Sequence, residues 1–231
     1  MLLKKFVVEE SRLMIGRGAI AEGYELLERA APSHRGEPVW EVAYCYPRQG
    51  DWTEADFLEF ETANFPVELV DGCLEFLPMP KRTHQRLLRY LIGLLESAVK
   101  PRSLGEVLFS PCPIRLAPGH LREPDLFVAR PSDSDEPPAA ADVLWVLEIV
   151  SPGPLNRDRD LIDKRRDYAQ ARIPEYWIVD PAEETVTVLS LDAESYRVHG
   201  EFKRGSIATS PLLTELQINV TELFDSAQPS T

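Results

Sequence analysis

Val143-Leu144-Trp145-Val146-Leu147-Glu148-Ile149-Val150-Ser151 is the stretch on which the fold turns. β-Branched and large apolar residues follow one another without polar alternation, the pattern of a strand covered on both faces. Glu148 alone breaks it. A carboxylate inside such a strand costs several kcal/mol to bury unless a cation or a bonded proton accompanies it. The surrounding sequence has to supply that partner.

Downstream, Pro152-Gly153-Pro154 and Asn156 lead into an amphipathic helix expected from about Arg157 to Ala171. Ile173-Pro174 closes it, and Glu175–Asp180 is a second short buried strand. Strand, helix, strand is a βαβ unit, whose strands should be parallel with a right-handed crossover. On helical spacing Lys164 falls with Leu161, Tyr168 and Ala171 on the face that must pack against the sheet. A lysine within a packing stripe either snorkels or points at an anion. Further on, Asp180-Pro181 opens a hairpin of Thr185–Leu191 with Tyr196–Phe202. An apolar strand near Leu216–Val220 and a turn at Leu223–Phe224 follow.

Upstream, Thr53 and Asp56 have capping spacing and open a short helix through Phe60 and Glu61. Val67–Val70 and Cys73–Leu77 flank Asp71-Gly72, a strong type I′ hairpin signal because both central residues need positive φ. A two-residue loop pairs 70 with 73, 69 with 74 and 68 with 75, which sets Glu68 against Glu75. Either the two carboxylates splay into water or one turns toward a cation. Thr83 can cap a helix from His84 to about Val99, with Leu88, Leu91, Leu95 and Ala98 as its buried stripe. His84 lies at the first turn on that face, where a histidine is either a hydrogen-bonded helix-start residue or functional. Two long strands are expected next, Gly105–Leu116 and Leu121–Ala129, turning at Pro118-Gly119-His120. Pro124 marks a strand start, an edge or a bulge in the second. Pro131–Ala141 reads as an acidic loop. Residues 1–50 read as an N-terminal extension with helical patches around Phe6–Ile15 and Ala19–Ala30, residues 51–226 as the organised domain, and residues 227–231 as a tail.

The composition, 44% apolar and 27% charged over 231 residues, is that of a soluble globular domain. No apolar run approaches the ~20 residues of a membrane span. Lys4, Lys5, Glu9, Glu10 and Arg12 interrupt any region of signal-peptide type. Cys45, Cys73 and Cys112 lie far apart with no CxxC spacing, which favours reduced thiols in a cytoplasmic setting. The net charge of −13 argues against a nucleic-acid partner, but residues 81–130 hold nine Lys/Arg against four Asp/Glu. A basic middle in an acidic envelope permits phosphate binding on one face; a merely solvated surface would look the same.

Asp125, Glu148 and Lys164 are the constellation these readings isolate. Two carboxylates close together in an apolar site need a counter-charge. An oxygen-only donor set without Cys/His ligands suits Mg²⁺ or Mn²⁺ rather than zinc.

At these residues the chain resembles the PD-(D/E)XK nuclease superfamily, and more closely the Uma-type family of putative restriction endonucleases. The matching pieces are Val-Glu-Leu-Val-Asp-Gly (67–72), Thr-His (83–84), Glu-Pro-Asp-Leu (123–126), Leu-Glu-Ile-Val-Ser-Pro (147–152), Arg-Asp with Lys164 and Tyr168, and Ile-Pro-Glu-Tyr-Trp-Ile-Val-Asp-Pro (173–181). The resemblance runs from Trp52 to Phe224. It implies an α/β (α+β) fold, a restriction-endonuclease-like mixed β-sheet flanked by helices. It also implies Mg²⁺- or Mn²⁺-dependent hydrolysis of phosphodiester bonds in DNA. Asp125, Glu148 and the Ile149 backbone carbonyl would hold the metal, and Lys164 would orient water or stabilise charge growing on phosphorus. Glu68 and His84 match positions the family keeps acidic and histidine. Val150 is a departure, because the superfamily's basic form carries its lysine there; Lys164 on the following helix is the family's usual substitute. Lys81, Arg82, Arg86, Arg115 and Arg122 are candidates to track a DNA backbone. By analogy a double-strand cutter is a homodimer. The opposing readings are a buried ion-pair network without metal, and a non-catalytic nucleic-acid-binding or protein-interaction module on the same fold. Tyr168, Tyr176 and Trp177 read as core aromatics, and Ser151 as a turn cap.

Overall fold

A computed structural model describes residues 47–59 and 66–229 of the chain. The N-terminal helical patches and the end of the Thr53 helix lie outside the described residues. Thr53 and Asp56 do form the expected reciprocal cap. The Thr53 N–H donates to Asp56 Oδ2 at 2.9 Å and the Asp56 N–H to Thr53 Oγ1 at 3.2 Å, opening α1 (Glu54–Glu59).

The quoted stretch forms β7 (Val143–Ile149), buried along all but Leu144. It lies inside a six-stranded sheet with β8 (Glu175–Asp180), β9 (Thr185–Asp192) and β10 (Ser195–Lys203) on one side. On the other side lie β6 (Leu126–Ala129) and β3 (Glu106–Phe109). β7 and β8 run parallel, as the βαβ reading requires, and the remaining pairs are antiparallel. Trp145, Leu147 and Ile149 pack on one face with Leu87, Leu88, Leu91 and Leu95 of α2 (Arg82–Val99). Val146 and Val150 pack on the other with Tyr168, Ile173 and Tyr176. Glu148 shares the parity of that second face.

The hairpin forms as its sequence requires. β1 (Val67–Val70) and β2 (Cys73–Phe76) pair in the expected register, and Asp71 and Gly72 both take positive φ, 49° and 73°. They join β5 (His120–Arg122) and β4 (Ile114–Ala117) in a second, four-stranded sheet. Here the structure corrects the reading of two long strands. Each is broken, by Pro111 and Pro113 in one and Pro124 in the other, where backbone donors are missing. The same two segments therefore pair twice, in different sheets. Glu123-Pro124-Asp125 is the crossing between them.

Three helices also depart from expectation. α2 begins at Arg82, so Thr83 lies inside it; Lys81 is the N-cap, without a side-chain hydrogen bond. The connection from β7 to β8 begins at Pro154 and is interrupted: α3 (Pro154–Asp158), a π turn (Arg159–Asp163) and α4 (Lys164–Gln170). Leu223 and Phe224, read as a turn, sit in α5 (Val220–Ser226), which Asn219 caps by accepting from the Thr221 and Glu222 N–H groups. α5 packs after β12 (Gln217–Asn219), which pairs with β11 (Ile207–Thr209). Ala227, read as tail, belongs to the core.

Arg122 ties the small sheet to α4. A candidate to track a DNA backbone on its sequence, it is only 1% exposed and cannot do so. Its Nη1 lies 2.7 Å from both Glu68 and Glu75, and its Nη2 2.7 Å from Asp167. The facing Glu68 and Glu75 are thus resolved by a shared cation rather than by water. His120 Nε2 stands 3.4 Å from Asp167, at ion-pair distance without hydrogen-bond alignment. Burial opposes the Asp167 charge, but His120 and Arg122 hold its carboxyl well below the usual carboxylate range.

Two expectations follow from this arrangement. A Cβ at Gly72 would meet the Gly50 carbonyl oxygen at 2.5 Å, on backbone of positive φ. Gly72→Ala should therefore lower unfolding free energy by about 2 kcal/mol in urea, and a neutral result would contradict the described packing of residues 49–52 on the hairpin. Because the folded pKa of Asp167 is depressed, its stabilisation is complete above the ordinary value of 3.8 and is lost as pH falls through the folded value. The stability gap between wild type and Asp167→Asn should be widest near neutrality and narrow below about pH 4. A gap that widens toward acid would refute the assignment.

Candidate active site

The registers bring the two acids together. β6 and β7 are antiparallel with Leu126 opposite Leu147, so one step beyond the ladder places Asp125 opposite Glu148. In the other sheet Leu69 faces Leu121, which sets Glu68 across from Arg122 and beside Glu123. Lys164 enters from the helical connection between β7 and β8. Sequence-distant groups thus converge at the point where the chain crosses between sheets.

Lys164 is the centre of the cluster and is 1% exposed. Its Nζ lies 2.8 Å from Glu148 Oε1, 2.9 Å from Glu68 Oε1 and 3.4 Å from the Glu123 carbonyl oxygen. The Glu148 and Glu123 contacts are hydrogen bonds and the Glu68 contact is an ion pair. Burial works against its charge, yet Glu148 and Glu68 hold its pKa above the usual lysine value. Of the two options for a lysine in the packing stripe, the structure shows the anion-directed one.

Each carboxylate has its own environment. Glu148 Oε1 also accepts from the Tyr168 hydroxyl at 2.6 Å. Burial pushes the Glu148 carboxyl up to about 8; Lys164 opposes this, while Asp125, Asp160 and Glu68 reinforce it. Glu68 is fully buried, and burial raises its pKa; Lys164, Arg122 and the Glu123 N–H, donating at 2.9 Å, more than reverse that, so Glu68 stays ionised. Asp125 accepts from the Ile149 N–H at 2.7 Å and pairs with His84 Nε2 at 3.0 Å. Burial lowers the His84 pKa, but the Asp125 contact outweighs it and leaves the imidazole above its usual value.

His84, Asp125, Glu148 and Lys164 line a cavity of about 230 Å³, room for several waters. Pro66, Pro78, Pro80 and Phe109 give it an apolar rim, and His84, Glu123, Asp125, Glu148, Ile149 and Lys164 form its polar wall. Asp160 and Arg159 line it too, and the sequence reading had missed them. Asp160 precedes Lys164 by four residues, so the face assigned to Lys164 could have revealed it. Its Oδ2 accepts the Ser151 N–H at 3.2 Å, which gives Ser151 a turn-anchoring role. Tyr168, Tyr176 and Trp177 are core aromatics, and Val150 fills an apolar cluster where a lysine was absent.

The backbone-tracking candidates divide. Lys81 and Arg82 are exposed at the start of α2, whose His84, Gln85 and Arg89 line the cavity. Arg122 is buried, Arg115 pairs with Glu54, and Arg86 donates to the Ala227 carbonyl at 3.0 Å. The donor set fits a hard divalent cation, since Asp125 and Glu148 offer carboxylate oxygens on facing strands. Among the described residues no group of three or more His, Cys, Asp or Glu side chains is placed to hold a metal ion by itself.

Comparison with known proteins agrees with this architecture. The chain resembles a solved structure described as a putative nuclease belonging to DUF820 from Anabaena variabilis. The TM-score is 0.60 and identity 21%, over 76% of this chain and 99% of that one, which is a likeness of fold. No curated protein matches. The model of the Uma2 family, described as putative restriction endonuclease, matches residues 54–221. With nearly three quarters of its length inside that match, the chain belongs to the Uma2 family of putative restriction endonucleases.

Proposed function

We propose that this protein is a divalent-metal-dependent endonuclease that hydrolyses phosphodiester bonds in DNA, with Asp125, Glu148 and Lys164 as its catalytic residues. The observation that carries this reading is the Lys164 ammonium held at 2.8 Å from Glu148 on the wall of a cavity that Asp125 also lines. Family membership supplies the nuclease class.

Asp125, Glu148 and the Ile149 carbonyl would hold Mg²⁺ or Mn²⁺. When bound, such an ion polarises the scissile phosphate and makes nearby water more acidic. The protein's own part is positional. The Tyr168 hydroxyl and Lys164 fix one oxygen of Glu148, which sets the direction of its carboxyl plane. His84 and the Ile149 N–H do the same for Asp125. The Lys164 contact with the Glu123 carbonyl is its longest, at 3.4 Å, and is the one most readily exchanged. The released N–H can point at the attacking water or at a phosphate oxygen and stabilise charge developing there. Exposed Lys81 and Arg82 supply a basic approach beside the cavity. Cys73 and Cys112 are free thiols, in keeping with a cytoplasmic setting, and among the described residues no helix is long and apolar enough to cross a membrane.

One observation favours a second reading, a buried ion-pair network without turnover. Lys164 already pairs with both Glu148 and Glu68, and among the described residues no group of three or more His, Cys, Asp or Glu is placed to hold a metal ion by itself.

Cleavage of plasmid and single-stranded DNA with Mg²⁺ or Mn²⁺ distinguishes the two. Wild type should cut, while Glu148→Ala and Lys164→Ala should each lose at least about a hundredfold in rate. Activity that persists in Glu148→Ala would sink the assignment.

A further inference from the structure

Three cations line the cavity: Arg89, Arg159 and Lys164. Lys164 is engaged by Glu148 and Glu68, and Arg89 is exposed at the rim. Arg159 differs from both. Its side chain is only 14% exposed, although it faces the cavity. Burying a guanidinium is costly unless its five N–H donors find acceptors.

Among the described residues most of those donors have no acceptor. Nε donates to Asp160 Oδ1 at 3.2 Å, and Nη1 makes a long contact of 3.4 Å to Asn156 Oδ1. Among the described residues Nη2 has no acceptor. A guanidinium whose only task was to neutralise Asp160 would offer it both prongs of the fork. Here Asp160 takes the inner nitrogen alone. The other Asp160 oxygen accepts the Ser151 N–H, which ties Asp160, and through it Arg159, to the end of β7. Arg159 lines the cavity, and its outer nitrogen, without a described acceptor, belongs to the planar fork that matches two oxygens of a phosphate.

We propose that Arg159 is the residue that grips the substrate phosphate, with Asp160 as the positioning residue that holds its fork. The ligand is a phosphodiester group of DNA, bound through its non-bridging oxygens. Lys164 then needs to exchange only its Glu123 contact for water or for the transition state. This inference rests on the nuclease reading above and adds the group that fixes the substrate.

The test is binding of a fluorescein-labelled DNA oligonucleotide, measured by anisotropy across a salt series. Ca²⁺, another oxygen-binding cation, replaces Mg²⁺. The proteins are wild type, Arg159→Gln, which keeps a donor for Asp160, and Arg159→Lys. Arg159→Gln should bind roughly tenfold more weakly, and its slope of log affinity against log salt should fall by about one unit of charge. Arg159→Lys should keep the wild-type slope while losing affinity severalfold, because an ammonium cannot reproduce the fork. A purely structural Arg159 would move the urea midpoint and leave the salt slope alone. If wild type binds and Arg159→Gln matches it in affinity and slope, the assignment is overturned; unchanged affinity in Arg159→Lys would likewise refute the fork. If wild type binds no DNA at all, the nuclease reading fails first and this inference with it.

Discussion

One ammonium, Lys164 Nζ between Glu148 and Glu68, is the contact on which the arrangement depends. Glu148 comes from the buried centre of the six-stranded sheet, Glu68 from the hairpin of the smaller sheet, and Lys164 from the helical connection that follows β7. Removing the ammonium would leave buried Glu148 and Glu68 without their shared partner, a loss of about 3–5 kcal/mol. The cation therefore holds two sheets and a helix together at the place where the cavity opens. Arg122 repeats the device behind it, joining Glu68 and Glu75 to Asp167. The two cations share Glu68, so the cavity wall and its support form one electrostatic unit.

A chain of net charge −13 can thus still present cations along one cavity. Acidic residues dominate the total, but several are committed to buried partners. Lys164, Arg122 and Arg159 neutralise Glu148, Glu68, Asp167 and Asp160, while exposed Lys81 and Arg82 lie beside the cavity. Net charge is an average over the surface; the field at the site is set by the few groups that line it.

Much of the architecture was legible because local rules and global packing agree. The uninterrupted apolar run of β7, the Asp71-Gly72 turn and the strand-helix-strand order each led to the element observed. The position of Lys164 in the packing stripe left two options, snorkelling or an anion, and the structure shows the second. What failed to show was long-range. Prolines at 111, 113 and 124 signalled irregularity, but only the assembled sheets show that both strands break at one crossing and change partner there. Arg122 looked like any surface arginine because its three acceptors come from residues 68, 75 and 167. The π turn has no simple sequence signature, so the roles of Arg159 and Asp160 in the cavity were hidden, although the four-residue spacing from Asp160 to Lys164 offered a hint.

The central claim is that Asp125 and Glu148 form the open side of a cation site, with Lys164 closing the other side. Calorimetric titration of the full chain with Mn²⁺ and Mg²⁺ tests this most directly, comparing wild type with Asp125→Ala. Wild type should bind the ion, and Asp125→Ala should lose that binding. An absence of heat with wild type, or equal affinity in the two proteins, would contradict the account and leave a buried ion-pair network in its place.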